Sequence, residues 1–142
     1  MATVKEYKYS DIEIGTRESF EVSITTEMEE KFRSLTGDVN PMHCDDSFAK
    51  EMGGYSSHIV FGMMTASFIS TLAGVYLPGK YSLIHSVEMG FTKPVFAGDV
   101  LTVTGECIDK QDGLNLIVLK VTIKNASQNT VSKGKMKIKV LL

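Results

Sequence analysis

Apolar and polar residues alternate along Phe20-Glu21-Val22-Ser23-Ile24, the period of a strand with one face buried. The period then changes. Met28, Phe32 and Leu35 recur at helical spacing behind a capping box, Thr26-x-x-Glu29, and Gly37 predicts the stop. Asp45 or Asp46 is placed to cap a short helix through Ser47, Phe48 and Ala49 that ends at Gly53-Gly54. From Gly62 to Tyr76 the chain is apolar on nearly all sides, which predicts a helix enclosed by other elements, and Leu77-Pro78-Gly79 terminates it. Everything after that reads as strand and turn. Tyr81 to Thr92 leads into Pro94, Gly98-Asp99 makes a turn, and Leu101, Val103 and Cys107 resume alternation. Asp112-Gly113 signals a hairpin before Leu116 to Ile123, and Asn125 to Asn129 reads as a further turn. The last strand sets Met136, Ile138 and Val140 opposite Lys135, Lys137 and Lys139. A strand, then helices, then a run of hairpins predicts an α+β domain with helices on one face of an antiparallel sheet.

Composition narrows the partners. The 142 residues contain no repeat, low-complexity tract or linker, so residues 1–142 are expected to form a single domain with a substantial core. A formal charge of −2 gives no electrostatic case for nucleic acid or for an anionic membrane surface. Cys44 and Cys107 have no metal-like spacing, so no metal site is expected, and reduced thiols are the plainer reading. Met1 to Glu13 lacks an apolar signal core. The most apolar stretch, Ile59 to Leu77, is too polar and too short for a bilayer core that needs roughly 20 apolar residues. A cytoplasmic protein is the expectation.

The candidate chemistry lies between the helices. Gly37-Asp38-Val39-Asn40-Pro41-Met42-His43 gathers a carboxylate, an amide and an imidazole on a loop stiffened by proline. An aspartate after a helix-ending glycine is commonly a turn former, and a lone histidine is commonly structural. Together with Asn40 and Pro41 they point instead to proton transfer, which needs an acid and a base held on a rigid turn. Histidine, with an ordinary pKa of about 6.5, accepts or donates near neutrality. Gly62 opens the long apolar segment, and the first N–H groups of a helix there are free to meet a developing negative charge.

A family resemblance sharpens this. Asp38-x-Asn40-Pro41-x-His43-x-Asp45, then Gly62-Met63, then Phe91-x-x-Pro94-Val95-x-x-Gly98-Asp99 resembles the (R)-specific enoyl-CoA hydratases of the MaoC-like group, from about Phe20 to the C-terminus. The resemblance implies a hot-dog fold, a curved antiparallel sheet wrapped around a long central helix, in a homodimer or higher even oligomer. It also implies that Asp38 and His43 hold one water that adds across a trans-2-enoyl thioester to give an (R)-3-hydroxyacyl product. The N–H of Gly62 would bind the thioester oxygen, with Asn40 supporting the loop. No separate cofactor is implied, because coenzyme A is part of the substrate. If Gly62 fixes the thioester, Ser67 and Ser70, up to two turns further along, are candidates for the acyl pocket.

The resemblance leaves alternatives: a dehydratase acting on acyl-carrier-protein thioesters, a thioesterase on the same fold, or a non-catalytic acyl-binding subunit. Against the thioesterase, Gly62 to Tyr76 contains no Asp or Glu. The division of acid and base roles between Asp38 and His43 stays open. The family usually reads Pro-Ile-x-His-Gly-Met where this chain has His58-Ile59-Val60-Phe61-Gly62-Met63. His58 is expected to be a partly exposed loop histidine, and donation from the Gly62 main chain survives either change. His85 and the methionines are assigned to packing, and Lys133, Lys135, Lys137 and Lys139 to a solvated face or a protected sheet edge.

Overall fold

Alternation along the late strands has a single cause, burial against helix on one face. Leu101, Val103 and Cys107, then Ile117, Leu119, Val121 and Ile123, then Met136, Ile138 and Val140 are buried in one hydrophobic cluster. The structure, a computed structural model, describes residues 2–142. Its main elements are β1 (Arg17–Ser23), α1 (Thr26–Thr36), α2 (Asp46–Gly53), α3 (Gly62–Thr71), β2 (Ser82–Phe91), β3 (Val100–Gln111), β4 (Leu116–Lys124) and β5 (Thr130–Val140). All strand pairings are antiparallel, and the five strands lie in the order β1-β3-β4-β5-β2.

α1 starts at its predicted cap, so the true N-cap lies one residue earlier. Thr25, not Thr26, is the N-cap, and its hydroxyl accepts the Met28 N–H at 3.2 Å. Glu29 therefore does not close a capping box; its carboxylate is buried and meets His58. Gly37 ends α1 in the left-handed region at φ 74°. Asp45 caps α2 by accepting the Phe48 N–H at 3.1 Å, and Gly54, at φ 71°, ends it.

α3 departs from the sequence expectation in two ways. It is α-helical only to Thr71, and Leu72–Tyr76 continues as a wider π turn, in which the Leu77 N–H reaches the carbonyl of Leu72 at 2.8 Å. Nor is it enclosed on all sides. Met64, Thr65, Ala66 and Ile69 are buried, but Met63, Ser67, Ser70 and Thr71 are exposed. The small and hydroxylated residues form a second face that packing within the chain does not cover.

The π turn is where the sheet closes on the helix. It contacts β1 and β2, the two edges of the sheet, and also β3. Both edges can reach one segment only if the sheet curls around it. Gly105 of β3 permits the closest approach, since a Cβ there would lie 2.8 Å from Cδ2 of the fully buried Leu72. β2 has only β5 for a neighbour and exposes Leu83, Ile84, Val87 and Phe91. His85, expected in packing, is exposed at the irregularity between Ile84 and Ser86. Met64 and Met136 do pack in the core, whereas Met52 and Met63 are exposed. The lysines of β5 lie on an inner strand, so the exposed ones among them mark a solvated face and not a sheet edge. Cys44 is exposed and Cys107 buried, both unpaired. Among the described residues no helix is long and apolar enough to cross a membrane.

The Gly105 contact can be tested. Gly105→Ala should cost about 1–3 kcal/mol by overpacking Leu72, whereas Gly113→Ala, with open space around it, should stay within about 0.5 kcal/mol. Urea denaturation of both variants checks this, and equal costs would refute the close approach.

Candidate active site

Asp38, Asn40 and His43 sit on the link between α1 and α2, and local hydrogen bonds fix its shape. Oδ1 of Asp38 accepts the Asn40 N–H at 3.1 Å, and the Asp38 N–H donates to Thr36 Oγ1 at 3.2 Å. Oδ1 of Asn40 in turn accepts the Met42 N–H at 2.9 Å, capping a 3-10 turn over Pro41–His43. Asp38 and Asn40 are thus both turn formers. Oδ2 of Asp38 has no hydrogen-bond partner among the described residues, and the side chain is exposed.

The imidazole of His43 is held from the far side of the site. Its Nδ1 lies 2.8 Å from the carbonyl oxygen of Ile59. A carbonyl only accepts, so Nδ1 carries the proton and, in the neutral ring, Nε2 keeps its lone pair. The ring centroid lies 4.5 Å from that of Phe61, which is buried and also packs on Phe32. Phe61, one of the two residues that depart from the family pattern, therefore packs beside His43.

Gly62 is the first residue of α3, preceded by Phe61, whose side chain gives no cap. The N–H groups of Gly62 and Met63 consequently have no acceptor within the helix. Met64 and Thr65 both donate to the carbonyl of Phe61 at 3.1 Å, and the N–H of Gly62 has no hydrogen-bond partner among the described residues. A Cβ on Gly62 would come within 3.1 Å of the Phe91 ring, so glycine also keeps the cleft open.

These residues line two depressions. His43 and Gly62 share a cleft of approximately 230 Å³ with Tyr55, Ile59, Phe91 and Lys93. Asp38 lies instead on a larger apolar groove of approximately 550 Å³, together with Phe32, Met63, Ser67, Ser70 and Val87. The first turn of α3 borders both, Gly62 on the smaller and Met63 on the larger. Asn40 lines neither. The structure thus brings His43 to Gly62 and Asp38 to Ser67 and Ser70, without enclosing Asp38 and His43 in one cavity of the single chain.

A second histidine belongs to the same neighbourhood. His58 is the partly exposed loop histidine that was expected, but its ring is tied on both sides. Its Nδ1 lies 2.7 Å from Asp46 Oδ1 and its Nε2 3.1 Å from Glu29 Oε1. The hydrogen bond to Asp46 raises its pKa above histidine's ordinary value, and Glu29 adds to the shift against the opposing effect of burial. The backbone and side-chain hydrogen bonds from His58 lower the pKa of Asp46 correspondingly. Glu29, Arg33, Asp46 and the carbonyl of Ile59 were missed. Glu29 is separated from His58 by 29 positions and Ile59 from His43 by 16, and no local periodicity encodes such contacts.

Comparison with known proteins bears on this geometry. The family model for the MaoC like domain matches residues 10–129. A 3-hydroxybutyryl-CoA dehydratase of Methylorubrum extorquens is 33% identical over 98 residues, 69% of this chain and 62% of that protein. An (R)-specific enoyl-CoA hydratase of Aeromonas caviae is 42% identical over 71 residues, 50% of this chain and 52% of that protein. The matched segments thus span less than two thirds of either relative. Among solved structures, the unliganded R-hydratase of Pseudomonas aeruginosa superposes with a TM-score of 0.88 at 27% identity, covering 96% of this chain and 87% of that one. An (R)-hydratase from Aeromonas caviae superposes with a TM-score of 0.85 at 29% identity, covering 91% and 97%. The fold is the hot-dog fold that the motif implied.

Proposed function

The chain belongs to the MaoC-like dehydratase family, and on that premise we propose that it reversibly hydrates trans-2-enoyl-CoA to (R)-3-hydroxyacyl-CoA. One observation carries the reading: the carbonyl of Ile59 holds Nδ1–H of His43, which leaves Nε2 of the neutral ring its lone pair, on the same cleft as the N–H of Gly62. Water is a poor nucleophile until it loses a proton. In the proposed reaction Nε2 of His43 takes that proton as the water oxygen bonds to C3. The C2=C3 electron pair moves toward the thioester, and charge gathers on its carbonyl oxygen. Gly62 donates to that oxygen, and removing one such donor costs on the order of 3 kcal/mol in comparable sites. The proton then reaches C2 and restores the carbonyl. Hydration moves no net electrons, so the proposed reaction calls for no redox cofactor.

Asp38, on the neighbouring groove, is assigned to reach the same water through its unpartnered Oδ2 past the first turn of α3, which borders both depressions. Asn40 supports it by shaping the turn. The larger groove, apolar and bordered by α3, suits the acyl chain, with Ser67 and Ser70 small enough to leave room. A second copy of the chain is the proposed cover for the exposed faces of α3 and β2. That edge offers unpaired backbone groups beside exposed Leu83, Val87 and Phe91, and a symmetric pairing satisfies both needs.

Crotonyl-CoA should lose its enoyl absorbance in the presence of the protein without release of free thiol. Asp38→Asn keeps the Oδ1 turn contact, and His43→Asn keeps a donor for Ile59. Each should therefore fold, yet lower kcat by about 10²–10⁴. The double variant should lose far less than the product of the two. Near-full turnover by His43→Asn would remove the central assignment.

Ser70→Leu should penalise an eight-carbon enoyl-CoA more than crotonyl-CoA, since the added bulk meets only the longer chain. An unchanged ratio of turnover on the two substrates would place the acyl chain elsewhere. Light scattering should give about twice the 15.6 kDa chain mass or a higher even multiple. A monomer at micromolar concentration contradicts the proposed pairing.

A further inference from the structure

The loop between α2 and α3 carries the carbonyl that orients His43, yet it has no regular helix or strand of its own between Gly54 and Phe61. Its position therefore depends on ties to its neighbours. The strongest cluster at His58, the residue before Ile59. Oδ1 of Asp46 accepts both the His58 backbone N–H, at 2.9 Å, and the Nδ1–H, at 2.7 Å. The opposite ring nitrogen faces Glu29, with Oε1 at 3.1 Å and Oε2 at 3.4 Å. Asp46 comes from α2 and Glu29 from α1, so one side chain bridges both helices. These two carboxylates are the ionisable groups that meet the His58 ring.

Glu29 is only 2% exposed. A neutral imidazole has one N–H and can donate to one of the two carboxylates; the imidazolium donates to both. The surroundings favour the charged ring, and Glu29, buried, gains a charged partner in place of water.

We propose that His58 is a positioning residue for His43, acting through the carbonyl of Ile59. The path is short. Ile59 follows His58 directly, its N–H donates to the carbonyl of Met42 at 3.1 Å, and its carbonyl accepts Nδ1–H of His43 at 2.8 Å. α1 grips the same unit a second time, one turn beyond Glu29. There Nη2 of Arg33 donates to the carbonyl of His43 at 3.3 Å, with the guanidinium 5.7 Å from the centre of the Phe61 ring. Held this way, the Ile59 carbonyl selects one tautomer of His43. Released, it lets the ring proton move between Nδ1 and Nε2, and the fraction presenting an unprotonated Nε2 to the cleft falls. The clamp is complete while His58 is protonated. It loses a donor as pH rises through the elevated pKa of that ring.

The catalytic consequence rests on His43 being the group that handles the proton of the water; the structural one does not. The test therefore reads both. Long-range proton–nitrogen spectra resolve the tautomers of the 3 histidines, with His43→Asn assigning the signal of interest. At neutral pH the intact protein should show His43 as a single Nδ1–H tautomer. His58→Ala should shift it to a mixture and lower kcat on crotonyl-CoA by about tenfold or more, with KM changed less than twofold. Asp46→Asn should give the same change on a smaller scale, and it replaces His58→Ala if that variant does not fold. In the intact protein, raising pH past the titration of His58 should move the His43 signal the same way. A His43 that keeps one tautomer in both variants and across that titration overturns the proposal. If the intact protein does not hydrate crotonyl-CoA, the proposed function fails, and the response of the His43 tautomer to His58 still decides the positioning role.

Discussion

The burial of one continuous helical segment against the inside of the sheet sets every other distance in the molecule. Ile69, Leu72 and Ala73 lie in the same cluster as Leu119, Val121 and Met136, and both edge strands reach the π turn that follows α3. A segment seated that firmly has a fixed beginning. Its beginning is Gly62, so the free backbone donor at the candidate site is positioned by the core itself. The more apolar half of α3 secures the fold, and its small, hydroxylated face is left to line the groove.

The second layer of organisation is polar and local. Three residues of the 38–45 motif hold the chain in shape before any chemistry is considered: Asp38 and Asn40 shape turns, and Asp45 caps α2. Such double use is economical only because a carboxylate has two oxygens. Asp38 spends Oδ1 on the turn and retains Oδ2, and His43 spends Nδ1 on Ile59 and retains Nε2. Structural and chemical readings of Asp38 and His43 are therefore not rivals. Each holds the chain with one atom and keeps another for the role proposed for it.

Much of this was legible in the sequence, for identifiable reasons. Period-two burial made the β3, β4 and β5 strands readable, and glycine with a left-handed backbone marked the ends of α1 and α2. Errors arose where a residue had two possible partners. Glu29 satisfies the spacing of a capping box, but a histidine far along the chain competes for its carboxylate and wins. The Gly62–Tyr76 segment looked enclosed because serine and threonine dilute its apolar pattern only slightly. The exposed face became visible once the sheet was seen to close on the other side. His58 looked incidental for a similar reason, since its two carboxylates lie 29 and 12 positions away. Motif spacing located the candidate site; tertiary contact alone shows how it is held.

Family membership rests on the match over residues 10–129, and the reaction proposed for this chain rests on the atoms left free around the first turn of α3. In the proposed reaction water reaches the enoyl group from one face, so the stereochemistry of the product is the most direct readout. Crotonyl-CoA should be incubated with the protein and the 3-hydroxybutyryl product separated on a chiral phase. The account predicts the (R) product in large excess, formed at a rate that collapses in His43→Asn. An (S) or racemic product, or free coenzyme A without a hydroxyacyl intermediate, would contradict it.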